Sequence, residues 1–233
     1  MKAFVFAAGP GTRLGALTSQ TPKCLLPIAG KPILHWSLTL LERAGVTEAL
    51  INTHHLAEQV AAFAASWRGA CRLTLVHEPR LLGSAGTLSA NRAFVSGEPA
   101  FWTLYADTLI ADDLSKLASL HREKSPAMTM GLFRASDPRA CGIAELDGEG
   151  RLLSFEEKPA RPKSDLAAAG ICLFGPAVFD HLGPDSRDLG RDVWPRLVGR
   201  AYGCELKGPV IDIGTPRDYE RAKDAWPAPA RAA

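Results

Sequence analysis

Apolar and polar residues fall in blocks along the chain. Residues 3–8 (Ala-Phe-Val-Phe-Ala-Ala) form an unbroken apolar run that suits a strand buried on both faces, and the run breaks at Gly9-Pro10-Gly11. Leu34, Leu38, Leu41 and Ala44 then recur at helical spacing, with Gly45 placed to end the helix. The alternation continues with a strand at 49–53, a helix over about 57–67 and a strand at 73–77. A small-residue loop at 82–86 opens a helical run through Phe94, unless Ser84 simply caps that helix, and a strand over 101–107 ends in Asp107. Beyond it lie a strand at 128–133, a hairpin with a glycine-containing turn over 141–155 and an apolar segment at 167–174. A strand at 210–212 precedes a last helix, with Thr215 as N-cap and Pro216 in its first turn. Strands alternating with helices predict an α/β fold, its mostly parallel sheet covered on both faces.

At 233 residues, 46% hydrophobic and 22% charged, the chain has the composition of a globular protein with room for one large α/β domain. A net charge of +2 gives no reason to expect a nucleic-acid or membrane partner. The first apolar run is too short for a signal peptide or a spanning helix. Cys24, Cys71, Cys141, Cys172 and Cys204 are scattered, without a C-x-x-C pair, and read as buried thiols of a cytoplasmic protein. His54 and His55 lack a third ligand at a suitable spacing and read as an ordinary loop. Asp112 and Asp113 read as a helix cap and dipole partner.

Chemistry concentrates in the loops after strands. A strand running into Gly9-Pro10-Gly11-Thr12-Arg13, with Lys23 soon after, describes a cradle for polyphosphate. It is not a Walker loop, which needs a lysine and Ser or Thr directly after the last glycine. Nor is it the dinucleotide fingerprint, whose third glycine would fall at Leu14. Asp107 and Asp212 each end a strand, where open α/β sheets bind ligands, and magnesium bridging phosphates needs one or two such carboxylates.

The string from Ala7 to Leu14, with Leu17-Thr18, Thr21-Pro22-Lys23 and Pro27, resembles the signature of the sugar-1-phosphate nucleotidylyltransferases, and Glu156-Glu157-Lys158-Pro159 is similar to its second half. The resemblance covers nearly the whole chain. It implies a Rossmann-like, doubly wound mixed sheet, mostly parallel, of the glycosyltransferase-A kind, with residues 192–197 similar to the family's late helix. In such enzymes Ala7, Ala8, Gly9, Gly11 and Thr12 would meet the nucleotide from one loop, and Glu78, Gly83, Ser84, Ala85 and Gly86 from another. Arg13, Lys23 and Lys158 would carry the catalytic charges, with Arg13 on the departing pyrophosphate. Gly142, Glu157 and Gly170 would face the sugar, and Asp107 and Asp212 would hold Mg²⁺. Three departures stand out: Ala16 for a proline, Ala106 for a glycine and Ala168 for an asparagine that commonly bonds the sugar.

The implied activity moves a nucleoside monophosphate from a nucleoside triphosphate to a sugar 1-phosphate. The Leu82 to Gly86 loop is most similar to the mannose- or heptose-1-phosphate guanylyltransferase branch, which points to GTP and cell-envelope polysaccharide. Other readings are a UTP-dependent enzyme acting on an amino-sugar 1-phosphate such as N-acetylmuramate 1-phosphate, one acting on a non-sugar phosphate such as phosphocholine, and a non-catalytic regulator that binds a nucleotide sugar. The expected organisation is one catalytic domain over 1–226 with a frayed tail at 227–233, no added β-helix, and a monomer or homodimer.

Overall fold

The first apolar run is β1 (Lys2–Phe6). Ala3 and Val5 pack in one buried cluster with Leu34, Leu38 and Leu41, whereas Phe4 and Phe6 pack in another with Leu88, Phe101 and Trp194. Successive side chains point to opposite faces of the strand, and both faces are covered, so its sequence is a continuous apolar block. The structure is a computed structural model that describes residues 1–226, and the expected tail at 227–233 lies outside the described residues.

Two short strands, β2 (Pro27–Ile28) and β3 (Lys31–Pro32), lead into α1 (Ile33–Arg43). They are followed by β4 (Glu48–Thr53), α2 (Ala57–Ser66), β5 (Arg72–His77) and α3 (Gly83–Ala90). Next come β6 (Phe101–Tyr105), β7 (Thr108–Ile110), α4 (Ser115–Lys124) and β8 (Met128–Arg134). The expected hairpin is β9 (Gly142–Leu146) with β10 (Leu152–Glu157). β11 (Leu166–Phe174), β12 (Ala201–Glu205), β13 (Val210–Asp212) and α5 (Pro216–Ala225) complete the described chain.

The main sheet runs β10-β9-β11-β6-β1-β4-β5, with β8 pairing β11 and β12 off this path. β6, β1, β4 and β5 are parallel neighbours, and β11 runs antiparallel to β6, β8 and β9. The sheet is therefore mixed and parallel at its centre. Its parallel strands end along one edge, where their loops build the site. A small antiparallel pair, β7 with β13, sets Asp212 opposite Thr108 and so beside Asp107.

Thr215 caps α5 as expected, its Oγ1 accepting from Asp218 N at 3.2 Å. Asp113 accepts from Ser115 N at 2.9 Å, whereas Asp112 acts on a different segment. Its Oδ2 accepts from Gly208 N at 2.9 Å and also from Lys207 N, which tethers the loop before β13. The helix expected at 192–197 is replaced by a wide π-type turn, Leu189–Val193, and a tight 3-10 turn, Trp194–Leu197. Pro195 has no N–H to continue an α-helical ladder. Asp188 Oδ1 accepts from Arg191 N at 2.9 Å, and Asp192 Oδ2 accepts from Arg187 N and Asp188 N, each at 2.8 Å.

Candidate functional site

After β1 the chain turns through Gly9 to Gly11 into a tight helical segment, Thr12–Thr18. Gly11 has φ +65°, and a Cβ there would lie 2.9 Å from Thr18 Cγ2, so the turn needs glycine. Thr18 Oγ1 donates to the Gly11 carbonyl at 3.0 Å and holds the turn closed. The N–H groups of Gly9, Gly11 and Thr12 have no hydrogen-bond partner among the described residues. Consecutive free donors in a turn form a concavity suited to an anion.

Lys23 is nearly buried beneath this loop, and its Nζ donates to Asp107 Oδ2 at 2.6 Å. The Asp107 carbonyl accepts from Ile213 N at 2.9 Å, which places Asp107 beside Asp212. Burial, and after it the charge of Asp107, push the Asp212 carboxyl up to about 6, against the opposing pull of Lys23 and Arg13. Two crowded hard-oxygen donors fit a divalent cation. Among the described residues no group of three or more His, Cys, Asp or Glu gathers, so a metal here would complete its shell with substrate and solvent oxygens, as magnesium does. The His54 ring lies 2.6 Å from the Glu78 carbonyl and the His55 ring 3.0 Å from the Thr18 carbonyl, so both histidines tie loops together. Burial pushes the Cys24 thiol up to about 12, and Cys24 packs in the core.

Two cavities adjoin along the sheet edge. The first, about 290 Å³, takes in Ala7, Ala8, Gly9 and Lys23 on one side and Glu78, Gly83 and Ser84 on the other. The second, about 220 Å³, is bounded by Arg13 and Asp212 at one end and by Gly142, Glu157, Lys158 and Gly170 around it. Tyr105, Asp107 and Asp188 line both.

Four expected nucleotide residues line neither cavity. Gly11 and Thr12 lie further along the same loop, their N–H groups free but outside the lining of either cavity. Ala85 is fully buried with its N–H donated to the Arg187 carbonyl at 2.9 Å, and a Cβ on Gly86 would lie 3.1 Å from Leu82 Cβ, so both positions are closely packed within α3. Ser84 does not cap α3. It sits inside the helix, and its hydroxyl accepts from Tyr105 OH and Leu189 N, both at 2.9 Å.

In the second cavity burial, then Asp188, raises the Glu157 carboxyl, while Lys158 and Arg191 act against the rise. Lys158 adopts a left-handed backbone at φ +53°, fixed by its N–H donating to the Cys141 carbonyl at 2.9 Å. Ala168 lines this cavity and offers no amide where the resemblance leads one to expect it. Sequence reasoning passed over Asn52, Tyr105 and Asp188. Asp188, close to Asp192, could be mistaken in the sequence for part of an acidic metal cluster, Asn52 and Tyr105 stand as strand residues, and only the fold brings the three to the cavities.

A family model described as nucleotidyl transferase matches residues 2–227. The mannose-1-phosphate guanylyltransferase of Mycobacterium tuberculosis is 34% identical over 230 residues, covering 94% of this chain and 62% of its own length. The glucose-1-phosphate thymidylyltransferase of Streptomyces griseus is 35% identical over 181 residues, covering 77% of this chain and 51% of its own. The chain thus spans about half to three-fifths of the length of these curated relatives. A Bacillus anthracis crystal structure in complex with a sucrose superposes with a TM-score of 0.87 at 25% identity, over 100% of this chain and 97% of that one. No helix among the described residues is long and apolar enough to cross a membrane.

Proposed function

The chain belongs to the nucleotidyl transferase family, and we propose that it transfers a nucleoside monophosphate from a nucleoside triphosphate to a sugar 1-phosphate. The observation that carries this reading is the pair of adjoining cavities, with Lys23 and Asp107 where they meet and Lys158 across the second. A nucleotide in the first and a sugar phosphate in the second would bring two anions together, and their repulsion must be offset before an oxygen can reach the α-phosphorus.

In the proposed reaction a phosphate oxygen of the sugar 1-phosphate bonds to the α-phosphorus. The bond from that phosphorus to the oxygen bridging the β-phosphate breaks, and pyrophosphate departs with the electron pair. The attacking oxygen is already ionised, so no side chain need take a proton. Free N–H groups at Gly9, Gly11 and Thr12 hold the triphosphate, and Lys23 leaves Asp107 to balance charge growing at the α-phosphate. Arg13, which lines the second cavity with Asp212, would take up charge on the departing pyrophosphate, and Lys158, in the same cavity, would orient the sugar phosphate. Asp107 and Asp212 are the residues that would hold Mg²⁺, which supplies positive charge between the two substrates.

For the base and the sugar, GTP with a manno-configured sugar 1-phosphate is our reading, supported by the similarity to the mycobacterial guanylyltransferase. Its place would be the cytoplasm, a reading that five free cysteines support, and its product would serve cell-envelope polysaccharide. The test is pyrophosphate release with Mg²⁺ over four nucleoside triphosphates against mannose, heptose, glucose and N-acetyl amino-sugar 1-phosphates, and phosphocholine. Turnover with GTP and a manno sugar is expected. Turnover confined to UTP with an amino sugar would move the substrate assignment, and silence across the grid with a nucleotide sugar still bound would end the enzyme reading.

A further inference from the structure

β4 lies between β1 and β5 in the sheet, and the register pairs Asn52 with Phe6 on one side and Val76 on the other. β1 feeds the glycine loop. β5 feeds Glu78 and the turn into α3. The two loops that would grip one nucleotide thus leave strands that do not touch.

Asn52 spans the gap. Its Oδ1 accepts from the Ala7 N–H at 2.7 Å, at the mouth of the glycine loop. Its Nδ2 donates to Glu78 Oε1 at 2.9 Å and to Thr87 Oγ1, in α3, at 3.1 Å. Thr87 donates its hydroxyl to the same Glu78 oxygen, and the other Glu78 oxygen accepts from Leu82 N at 3.0 Å. Asn52, Glu78 and Thr87 are 4%, 2% and 0% exposed. A flipped Asn52 amide would set N–H against the Ala7 N–H and oxygen against a carboxylate, so the cluster allows one orientation. In a buried cluster each lost partner leaves another polar group unsatisfied, which makes such a cluster rigid.

We propose that Asn52, with Thr87 in support, is a positioning residue for the nucleotide: it sets the phosphate loop and the base-side loop at a fixed spacing, so that one nucleotide meets both at once. This rests on the nucleotidyl-transfer reading. Neither side chain needs to touch the reacting atoms, and the sugar phosphate is held by other elements. Loss of the link therefore makes nucleotide binding carry the cost of ordering two loops, with no such cost for the sugar phosphate.

The experiment compares Asn52→Ala and Thr87→Val with Leu117→Ala, a core truncation in α4 remote from both cavities. Melting temperature, direct nucleoside triphosphate binding and the KM for each substrate are measured well below the melting transitions. Asn52→Ala is expected to weaken nucleotide binding about 10- to 100-fold and Thr87→Val about 3- to 10-fold, with the sugar-phosphate KM within about twofold of wild type. Leu117→Ala is expected to lower the melting temperature and leave nucleotide affinity alone. If Asn52→Ala does not fold, Thr87→Val decides. Variants that melt earlier yet bind nucleotide as tightly as wild type overturn the positioning role alone. Wild-type protein that binds no nucleoside triphosphate overturns the transfer reading and this inference with it.

Discussion

On the nucleotide side of the site, the polar groups deep in the cavity already have protein partners. Asn52, Glu78 and Thr87 bond one another, and Ser84 is held by Tyr105 and Leu189. On the sugar and metal side the charges are short of partners. Asp212 and Glu157 are raised by burial and by neighbouring carboxylates, and Lys158 sits half-exposed on a left-handed backbone. The difference separates two jobs. A saturated network holds shape, while crowded carboxylates keep local strain that an incoming cation would relieve. Asp107, at the seam, uses Lys23 as a cation in the ligand-free chain.

The sharpest way to break this contrast is at the seam. Lys23→Ala should lower kcat by about 10²- to 10³-fold, as loss of one electrostatic stabiliser of the transition state does, while circular dichroism reports an intact fold. Near-normal turnover would mean that Lys23 serves only to neutralise Asp107. Lys158→Ala should raise the sugar-phosphate KM by about 10- to 100-fold and leave the nucleoside triphosphate KM near wild type. Equal effects on both substrates would erase the proposed division between the cavities.

Asp212 gives a test that needs no substrate. Its carboxyl holds a proton more tightly in the folded chain than in the unfolded one, so its charged form costs stability at neutral pH, and that cost fades as pH falls from about 6 toward 4. Asp212 is exposed to solvent, which screens the repulsion, so in metal-free protein Asp212→Asn should stabilise by no more than about 1 kcal/mol at pH 7, and its advantage should shrink over that window. A variant less stable than wild type at pH 7 would show that Asp212 is well satisfied without a cation. On the nucleotide side, Gly83 has φ +76°, and a Cβ would fall on the Arg187 carbonyl oxygen. Gly83→Ala should cost about 1–2 kcal/mol in a chemical-denaturation series and weaken nucleotide binding more than sugar-phosphate binding.

The features legible in the sequence were those that a residue type must supply by itself. Gly11 permits a left-handed turn that few other residues accept, and a strand covered on both faces shows as an apolar run in any order of strands. Asp107 and Asp212 could be singled out because each closes such a run. What could not be read depended on which strands lie together. Asn52 gains its proposed role from standing between β1 and β5, and the Arg187 carbonyl that accepts the Ala85 N–H comes from a segment far along the chain. The resemblance led to a helix at 192–197, where the chain instead forms a wide turn and a tight one, and Pro195 lacks the N–H that an α-helical ladder would use.

The ion pair between Lys23 and Asp107 also bears on how this site would respond to covalent probes. An amine reacts with acylating reagents through its free lone pair, and Lys23 is largely buried with its ammonium group against a carboxylate. Once a triphosphate is seated, the same group would be shielded by phosphate. Lysine-directed labelling should therefore pass over Lys23 in both states, and a footprint of the surface lysines would miss the amine that the proposed reaction uses.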